Sequence, residues 1–457
     1  MLFWILSSLL FIILRLPSLF EPYWYGDEGI YLTLGHAVNS GLTLYSQIHD
    51  NKPPTLYYLA ALGQTVFGFR LLLFVWMIPT IIVFYKLSQK FLSKKFSQIS
   101  SLLFLVLTCI PFFEGNIANA EIFMLLPTLL AVFYFLYSHS RFKFLVSGLL
   151  LGFAFTIKVP VAVEFGFLFL YLLFFIPKNK IKNLFIFGFS FIIPILVLGI
   201  YYAFKGAFNQ FLFSALLQNF GYLSSWSTGT HSGTATSGGI MTRVMLLAVS
   251  WVILYVLHRK KIISQTTLFL YGWFFATIFG VLLSTRPYPH YLIQLLPPFC
   301  ILLFHTKIRY NLIPIAILLA IVVKYKFYFY PVLSYYQNFY LKNNQRSYFG
   351  SRVDDIYQIS DYIRQNSEPD DRIFVWGDEP YIYPLSQRLP ATKYTVAYHI
   401  VDFQGHDLTM DQLRIHFPKY IVTFPMSNRE FAQLDEFISK YYYVVNSFNN
   451  AVIYQRR

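Results

Sequence analysis

The chain has 457 residues, of which 56% are hydrophobic, 20% aromatic and only 12% charged. Soluble domains carry about a quarter charged residues, so this composition excludes an ordinary soluble enzyme, a disordered regulator and a disulfide-stapled secreted domain. The formal charge of +15 suggests nucleic acid until the charges are placed along the chain.

Residues 1–340 hold 23 Lys and Arg against 7 Asp and Glu, whereas residues 341–457 hold 13 against 14. The first part is a string of apolar runs long enough to cross about 30 Å of hydrocarbon. In chain order the predicted spans are 2–19, 70–88, 99–113, 121–138, 144–158, 161–177, 184–203, 240–257, 266–284, 292–305 and 311–329. Residues 2–19 lack a basic leader and a small-residue cleavage site, so they read as a retained first span. Cys109 and Cys300 fall inside apolar runs and read as buried thiols.

Alternate loops carry Lys86/Lys90/Lys94/Lys95, Arg141/Lys143, Lys178/Lys180/Lys182, Arg259/Lys260/Lys261 and Lys307/Arg309. Clusters of cations without carboxylates mark cytoplasmic loops. They explain the net charge as a topology signal and remove the nucleic-acid reading. The expected architecture is a mainly α, polytopic membrane protein of about eleven spans, N-terminus inside and tail outside. Residues 1–335 form its multispanning domain, with an outer segment at 20–69. Residues 341–457 form a small α/β extracytoplasmic domain.

All seven carboxylates of the membrane part fall on the other face: Glu21, Asp27, Glu28, Asp50, Glu114, Glu121 and Glu164. The isolated cations Lys52, Lys158 and Arg286 fall there too. Ionisable groups at a membrane edge are costly unless they pair, bind or react, so chemistry is expected on the outer surface. In segment 20–69, Asp27 stands near the start of a predicted helix, where a carboxylate faces free N–H groups; Gly41 ends it. Asp50-Asn51-Lys52-Pro53-Pro54 forms a turn. The apolar stretch 55–68 then reads as a helix lying along the membrane surface.

His290 lies between Tyr288 and Tyr291 and reads either as an edge histidine or as a phosphate or metal contact. His36 and His49 lack zinc-protease spacing. No glycine-rich nucleotide loop sits at a strand–helix junction, which argues against a nucleotide-using enzyme. The Gly/Ser/Thr-rich end of loop 204–239 reads as a linker or a lid. In the tail, a polar helix is expected near 352–366, strands at 372–377 and 419–424, helices around 379–387 and 428–440, and a hairpin over 442–455. Asp378-Glu379, following a strand, reads as exposed acids that recognise or pack.

Gly26-Asp27-Glu28 after the first span, with Lys52-Pro53-Pro54 before an aromatic-rich helix, resembles the GT-C type membrane glycosyltransferases that use polyprenyl-phosphate sugars. That group includes the dolichyl-phosphate-mannose protein mannosyltransferases and the bacterial lipid A aminoarabinose transferases. Asn119-Ala120-Glu121 and the stretch Arg286-Pro287-Tyr288-Pro289-His290-Tyr291 are similar to further outer-loop sites of these enzymes. The resemblance implies an inverting transfer from a polyprenyl-phosphate sugar to a lipid, glycan or protein acceptor at the outer face of the cell membrane. Polyprenyl phosphate leaves as a stable anion, so the reaction needs a base for the acceptor hydroxyl and cations for the phosphate. On that basis Asp27 is the base, with Glu28 or Glu121 positioning the acceptor or assisting. Lys52, Arg286 and His290 contact the phosphate, and Asp50 and Glu114 are further candidates. The resemblance implies no certain cofactor; a divalent metal ion is left open, since Asn51 stands where some relatives carry a carboxylate. The competing classes are a lipid-linked glycan flippase or transporter and a polysaccharide polymerase or ligase. A transporter would place charges near the bilayer midplane on two related halves.

Overall fold

A computed structural model describes residues 2–137, 142–176, 178–218, 240–283, 287–305, 308–327, 329–425, 429–449 and 451–457, with backbone only for 308–311 and 325. Most of the predicted lid, at 219–239, and the predicted phosphate contact Arg286 lie outside the described residues.

Among the described residues, five helices are long and apolar enough to cross a membrane: Leu2–Leu19, Val66–Ser88, Ala120–Tyr137, Lys180–Phe204 and Ile240–Arg259. Shorter apolar helices include Lys143–Phe155, Val159–Phe175, Gln265–Val281 and Leu312–Lys324. Helices are the natural outcome of such sequences, because lipid offers no partner to a free backbone amide. The chain is a multi-pass membrane protein. The predicted span at 292–305 begins differently, as a 3-10 segment Pro289–Leu295 that passes into helix Leu296–His305.

Contacts divide the chain into two compact units. One comprises 1–16, 73–201 and 216–332, and the other 17–72, 202–215 and 333–457. In the first, apolar helices pack through aromatic faces, with Phe84 stacked on Phe104 at 4.1 Å and Phe165 on Phe191 at 4.0 Å. Gly148 lies against the helix Lys180–Phe204, and a Cβ there would meet the Phe187 carbonyl oxygen at 2.5 Å. Gly152, four residues on, meets the same helix at Phe191. Small residues at this spacing allow close helix approach where lipid supplies no hydrophobic drive.

The second unit combines the segment 17–72, predicted to lie outside, and residues 202–215 with the tail. Helices α1 (Leu2–Leu19), α2 (Gly26–Asn39), α3 (Thr55–Gly63) and α4 (Val66–Ser88) follow one another in sequence. The stretch expected as one surface helix is therefore a nine-residue α3, packed on α2, followed by the first turns of α4. The tail carries a four-stranded sheet of β1 (Ile373–Trp376), β2 (Tyr420–Thr423), β3 (Tyr442–Phe448) and β4 (Ala451–Arg456), in the order β1-β2-β4-β3. β1 and β2 are parallel, with Ile373 opposite Tyr420, and the other pairs are antiparallel. Period-2 alternation sends Phe374 and Trp376 into one apolar cluster and Ile373 and Val375 into the other. Helix Val353–Gln365 covers the second cluster with Ile356, Ile359 and Ile363. Helices Ala397–Asp402 and His406–His416 lie between β1 and β2, in a stretch where the sequence pattern gave no element.

Tail and outer segment are joined at α2. A Cβ on Gly29 would meet the Tyr381 ring at 2.5 Å, so only glycine fits there. Around it, Thr33 Oγ1 donates to the Pro380 carbonyl at 2.9 Å and Tyr381 Oη donates to the Trp24 carbonyl at 2.6 Å.

Candidate active site

Asp27 sits in the first turn of α2, behind Tyr25 as N-cap, and so inside the helix rather than capping it. Tyr31, one turn on, donates its hydroxyl to Asp27 Oδ2 at 3.0 Å. Lys52 Nζ lies 3.5 Å from the same oxygen and 3.6 Å from Asp50 Oδ2, and it stands 4.9 Å from the centre of the Tyr31 ring. The lysine is thus shared by two carboxylates of unlike exposure: the Asp27 side chain is 32% exposed and that of Asp50 only 2%.

The turn carrying Lys52 is clamped from both sides. Its backbone N–H donates to Tyr57 Oη at 3.1 Å, and its carbonyl accepts from Tyr45 Oη at 2.8 Å. Pro53 and Pro54 fix the backbone that follows. Tyr57 Oη in turn donates to Asp50 Oδ2 at 2.7 Å, and Asn51 N–H donates to Asp50 Oδ1 at 2.8 Å. Burial pushes the Asp50 carboxyl up, but Lys52, His399 and these hydrogen bonds outweigh it and hold the group well below the usual carboxylate range. Asp50 is therefore a fixed anion that anchors the lysine. Asp27 is the carboxylate of this cluster open to a ligand.

Glu28, next in sequence, points elsewhere. Arg70 Nε donates to Glu28 Oε1 at 2.8 Å, and Nη2 bonds Glu28 Oε2. Arg70 Nη1 lies 2.8 Å from Glu21 Oε2 and donates to the Ser18 carbonyl at 2.9 Å. Glu21 also accepts from Trp24 Nε1 at 2.7 Å and from the Tyr335 hydroxyl. One arginine thus ties the end of α1, the start of α2 and the start of α4 together.

The other unit holds a second charged cluster. Glu114, in left-handed backbone at φ 57° after Pro111–Phe113, bonds His290 Nδ1. His290 Nε2 lies 3.7 Å from Glu121 Oε1, which pairs with Lys158 Nζ at 2.7 Å. Tyr288 stacks on the imidazole at 5.6 Å, and Tyr291 meets its edge at 4.5 Å. Burial lowers the pKa of His290, but Glu121 and Glu114 more than reverse that and raise it above the ordinary value. Glu164 is apart from this chain of contacts and accepts from Gln294 Nε2 at 2.6 Å. Among the described residues, no group of three or more His, Cys, Asp or Glu is set to hold a metal ion.

Of the sequence candidates, Asp27, Lys52 and Asp50 come together in one unit. Glu114, Glu121 and His290 come together in the other. Glu28 joins neither cluster. The sequence reading gave no role to Arg70, Tyr57 or His399. Arg70 had a usable signal, since a lone arginine at the edge of an apolar span needs a buried partner. His399 had none, because nothing in its local sequence points to a residue some 350 positions earlier.

Residues 51–202 match the family model described as dolichyl-phosphate-mannose-protein mannosyltransferase. Two crystal structures of ArnT from Cupriavidus metallidurans superpose on nearly the whole chain. The one bound to undecaprenyl phosphate covers 99% of this chain and 97% of its own, at TM-score 0.62 and 13% identity. The chain has the fold of ArnT, a GT-C glycosyltransferase. The apo ArnT structure covers 98% of this chain and 97% of its own, at TM-score 0.60 and 12% identity. An oligosaccharyltransferase from Archaeoglobus fulgidus matches at 14% identity over 99% of this chain and 72% of its own, with TM-score 0.46. No curated protein matches by sequence. The ArnT likeness runs through the tail as well as the membrane helices.

Proposed function

We propose that the chain is an inverting glycosyltransferase that moves a sugar from a polyprenyl-phosphate donor to an acceptor hydroxyl at the outer face of the cell membrane. The observation that carries this reading is Asp27. It is the exposed carboxylate of its cluster, hydrogen-bonded by Tyr31 and paired with a lysine whose backbone is clamped. A carboxylate so held can take a hydroxyl proton, while the adjoining ammonium meets the negative charge growing on a leaving phosphate.

In the proposed step the acceptor hydroxyl gives its proton to Asp27 Oδ. Its oxygen attacks the anomeric carbon from the side opposite the phosphate, and the carbon–oxygen bond to the phosphate breaks. The polyprenyl phosphate departs as an anion held by Lys52, with Arg286 as a second contact on the sequence argument. One base and one displacement invert the anomeric centre, with no covalent sugar–enzyme intermediate. Glu28 acts through Arg70 to hold α2 in place, Glu121 is assigned to acceptor positioning, and His290 is a further phosphate contact on the sequence argument. The undecaprenyl phosphate bound by one of the ArnT structures supports a lipid-phosphate donor for this chain also.

The test is transfer by the purified protein in lipid nanodiscs, offered polyprenyl-phosphate sugars and a panel of lipid, glycan and protein acceptors, with products read by mass spectrometry. A glycosylated acceptor of inverted anomeric configuration, absent with Asp27→Asn, is the expected result. Movement of lipid-linked sugar across the bilayer with no new glycosidic bond would replace this reading with a transporter.

A further inference from the structure

The tail reaches the cluster that holds Asp27. His399, on the short helix Ala397–Asp402, places Nε2 3.6 Å from Asp50 Oδ1, on the carboxylate whose other oxygen faces Lys52. We propose that His399 is a positioning residue: it acts on Asp50, Asp50 fixes Lys52, and Lys52 sets the state of Asp27. The proposal deepens the glycosyltransferase reading and rests on it for the assignment of Asp27 as base.

The contacts run in one line. Asp27 Oδ2 lies 3.5 Å from Lys52 Nζ, which lies 3.6 Å from Asp50 Oδ2, with His399 at the opposite oxygen. The position of His399 is fixed independently of any ligand. Its ring packs against Phe403 at 5.4 Å and Tyr398 at 4.5 Å, and His49 lies at 5.8 Å. The stretch that carries it is stitched to the outer segment, where the His49 backbone N–H donates to the Lys393 carbonyl at 2.9 Å. Among the described residues, His399 Nδ1 has no hydrogen-bond partner, although the side chain is buried. A buried polar nitrogen without a partner costs stability, so packing alone gives no reason for histidine at this place.

The charged and titratable groups facing the ring are Asp50, Lys52 and Asp27 from the outer segment, Asp402 from its own helix, and His49. Burial lowers the His399 pKa; Asp50 opposes this and Lys52 reinforces it, so the ring is neutral at pH 7. His49 is held down to about 3 and stays neutral throughout the working range. A neutral His399 leaves the charge of Asp50 to Lys52. Once protonated, it forms its own ion pair with Asp50 and competes with the lysine. Lys52, already 3.5 Å from Asp27, is then left to that carboxylate alone and weakens it as a base. Acid thus withdraws the base through the tail.

Two measurements on the full-length protein in nanodiscs test this. Exchange of the histidine C2 proton, followed by mass spectrometry across pH, reads the His399 midpoint without any need for activity. A midpoint below 6.5 is expected. Lys52→Met should raise it and Asp50→Asn should lower it, each by roughly 1 unit for an opposed or supporting charge at this distance. Should Asp50→Asn fail to fold, Lys52→Met alone decides. A midpoint unmoved by either variant overturns the proposal whether or not the chain transfers sugar. The second measurement is the single-turnover transfer rate between pH 5 and 8. In the wild type the rate should fall about tenfold per unit below the His399 midpoint, the slope of one controlling proton. His399→Gln cannot take up that proton, so its acid limb should move to lower pH. An acid limb identical to wild type in His399→Gln overturns the relay. Failure of the wild type to transfer from any donor would refute the enzyme reading and leave the exchange result to judge the coupling.

Discussion

Arg70 holds Glu28 by two guanidinium nitrogens, Nε at 2.8 Å from Oε1 and Nη2 on Oε2, with both side chains buried. The neighbouring carboxylates Asp27 and Glu28 therefore do different work. A step of about 100° around the helix sends the first to an open cluster and the second into the join between α2 and α4. Breaking one side of such a buried pair leaves an uncompensated charge and costs about 3–5 kcal/mol. Arg70→Met should accordingly lower the thermal midpoint of the detergent-solubilised protein sharply, and Glu28→Gln should lower it less, because its amide keeps a partner for the guanidinium. An unchanged midpoint in Arg70→Met would remove the structural role.

Asp27→Asn keeps the shape of a side chain that is 32% exposed. It should fold with a near-native thermal midpoint and bind donor, while transfer falls about 10²–10⁴-fold, the worth of a positioned base. Measured beside Glu28→Gln, it separates catalysis from architecture: the first variant should lose rate, the second stability. Near-wild-type turnover by Asp27→Asn would move the base to another carboxylate, with Glu121 the next to test.

Lys52→Met removes the cation shared by Asp27 and Asp50. Transfer should fall about 10²–10³-fold, as for the loss of one group that stabilises developing negative charge. Donor affinity, measured with the unreactive lipid phosphate, should weaken too. Unchanged values for both in a folded Lys52→Met protein would refute the phosphate contact.

His49 supplies a pH dependence of stability. Burial, and more weakly the neighbouring His399, lower its folded pKa from 6.5 to about 3. The unfolded chain therefore binds more protons between these limits, and stability rises with pH across the window. The contribution of the neutral ring is complete above 6.5 and drains away as pH falls towards 3. Thermal midpoints taken from pH 7 down to pH 4 should drop progressively. His49→Phe, which keeps the edge contacts to Tyr394 and Phe403 at 5.3 and 4.9 Å, should flatten the slope. An equal slope in the variant would assign the acid loss elsewhere.

The basic loops predict a tail outside the cytoplasm. Single cysteines at exposed tail positions such as Asp411 or Arg414, in a background lacking Cys109 and Cys300, should react with a membrane-impermeant thiol reagent in intact cells. Labelling only after lysis would reverse the orientation and place the Asp27 cluster on the cytoplasmic side.

Much of the architecture follows from local composition. Apolar runs without charge form helices wherever they fall, so most predicted spans match helices within a few residues. The tail strands were legible too, because RIFVWG and KYIVTF are short β-branched and aromatic runs between polar stretches. The elements that the pattern missed, Ala397–Asp402 and His406–His416, mix polar and apolar residues without a clean period, and their helices are fixed by packing of Ala397, Ile400, Met410 and Leu413 into the tail core.

By itself the sequence determined that this is a multi-pass membrane protein with its acids gathered off the basic loops, and it singled out Asp27 and Lys52. Composition and charge placement are properties of the chain, and the membrane reads them directly. It could not show what Asp27 and Glu28 each touch, because adjacent residues on a helix diverge by about 100° and only the fold says what each direction meets. Nor could it find Arg70 as the partner of Glu28, or His399 as the far neighbour of Asp50. The first pairing exists because α4 returns to α2, and the second because the tail packs on the earlier segment, as it also does at Gly29 and Tyr381; both are contacts between distant segments that no local pattern encodes.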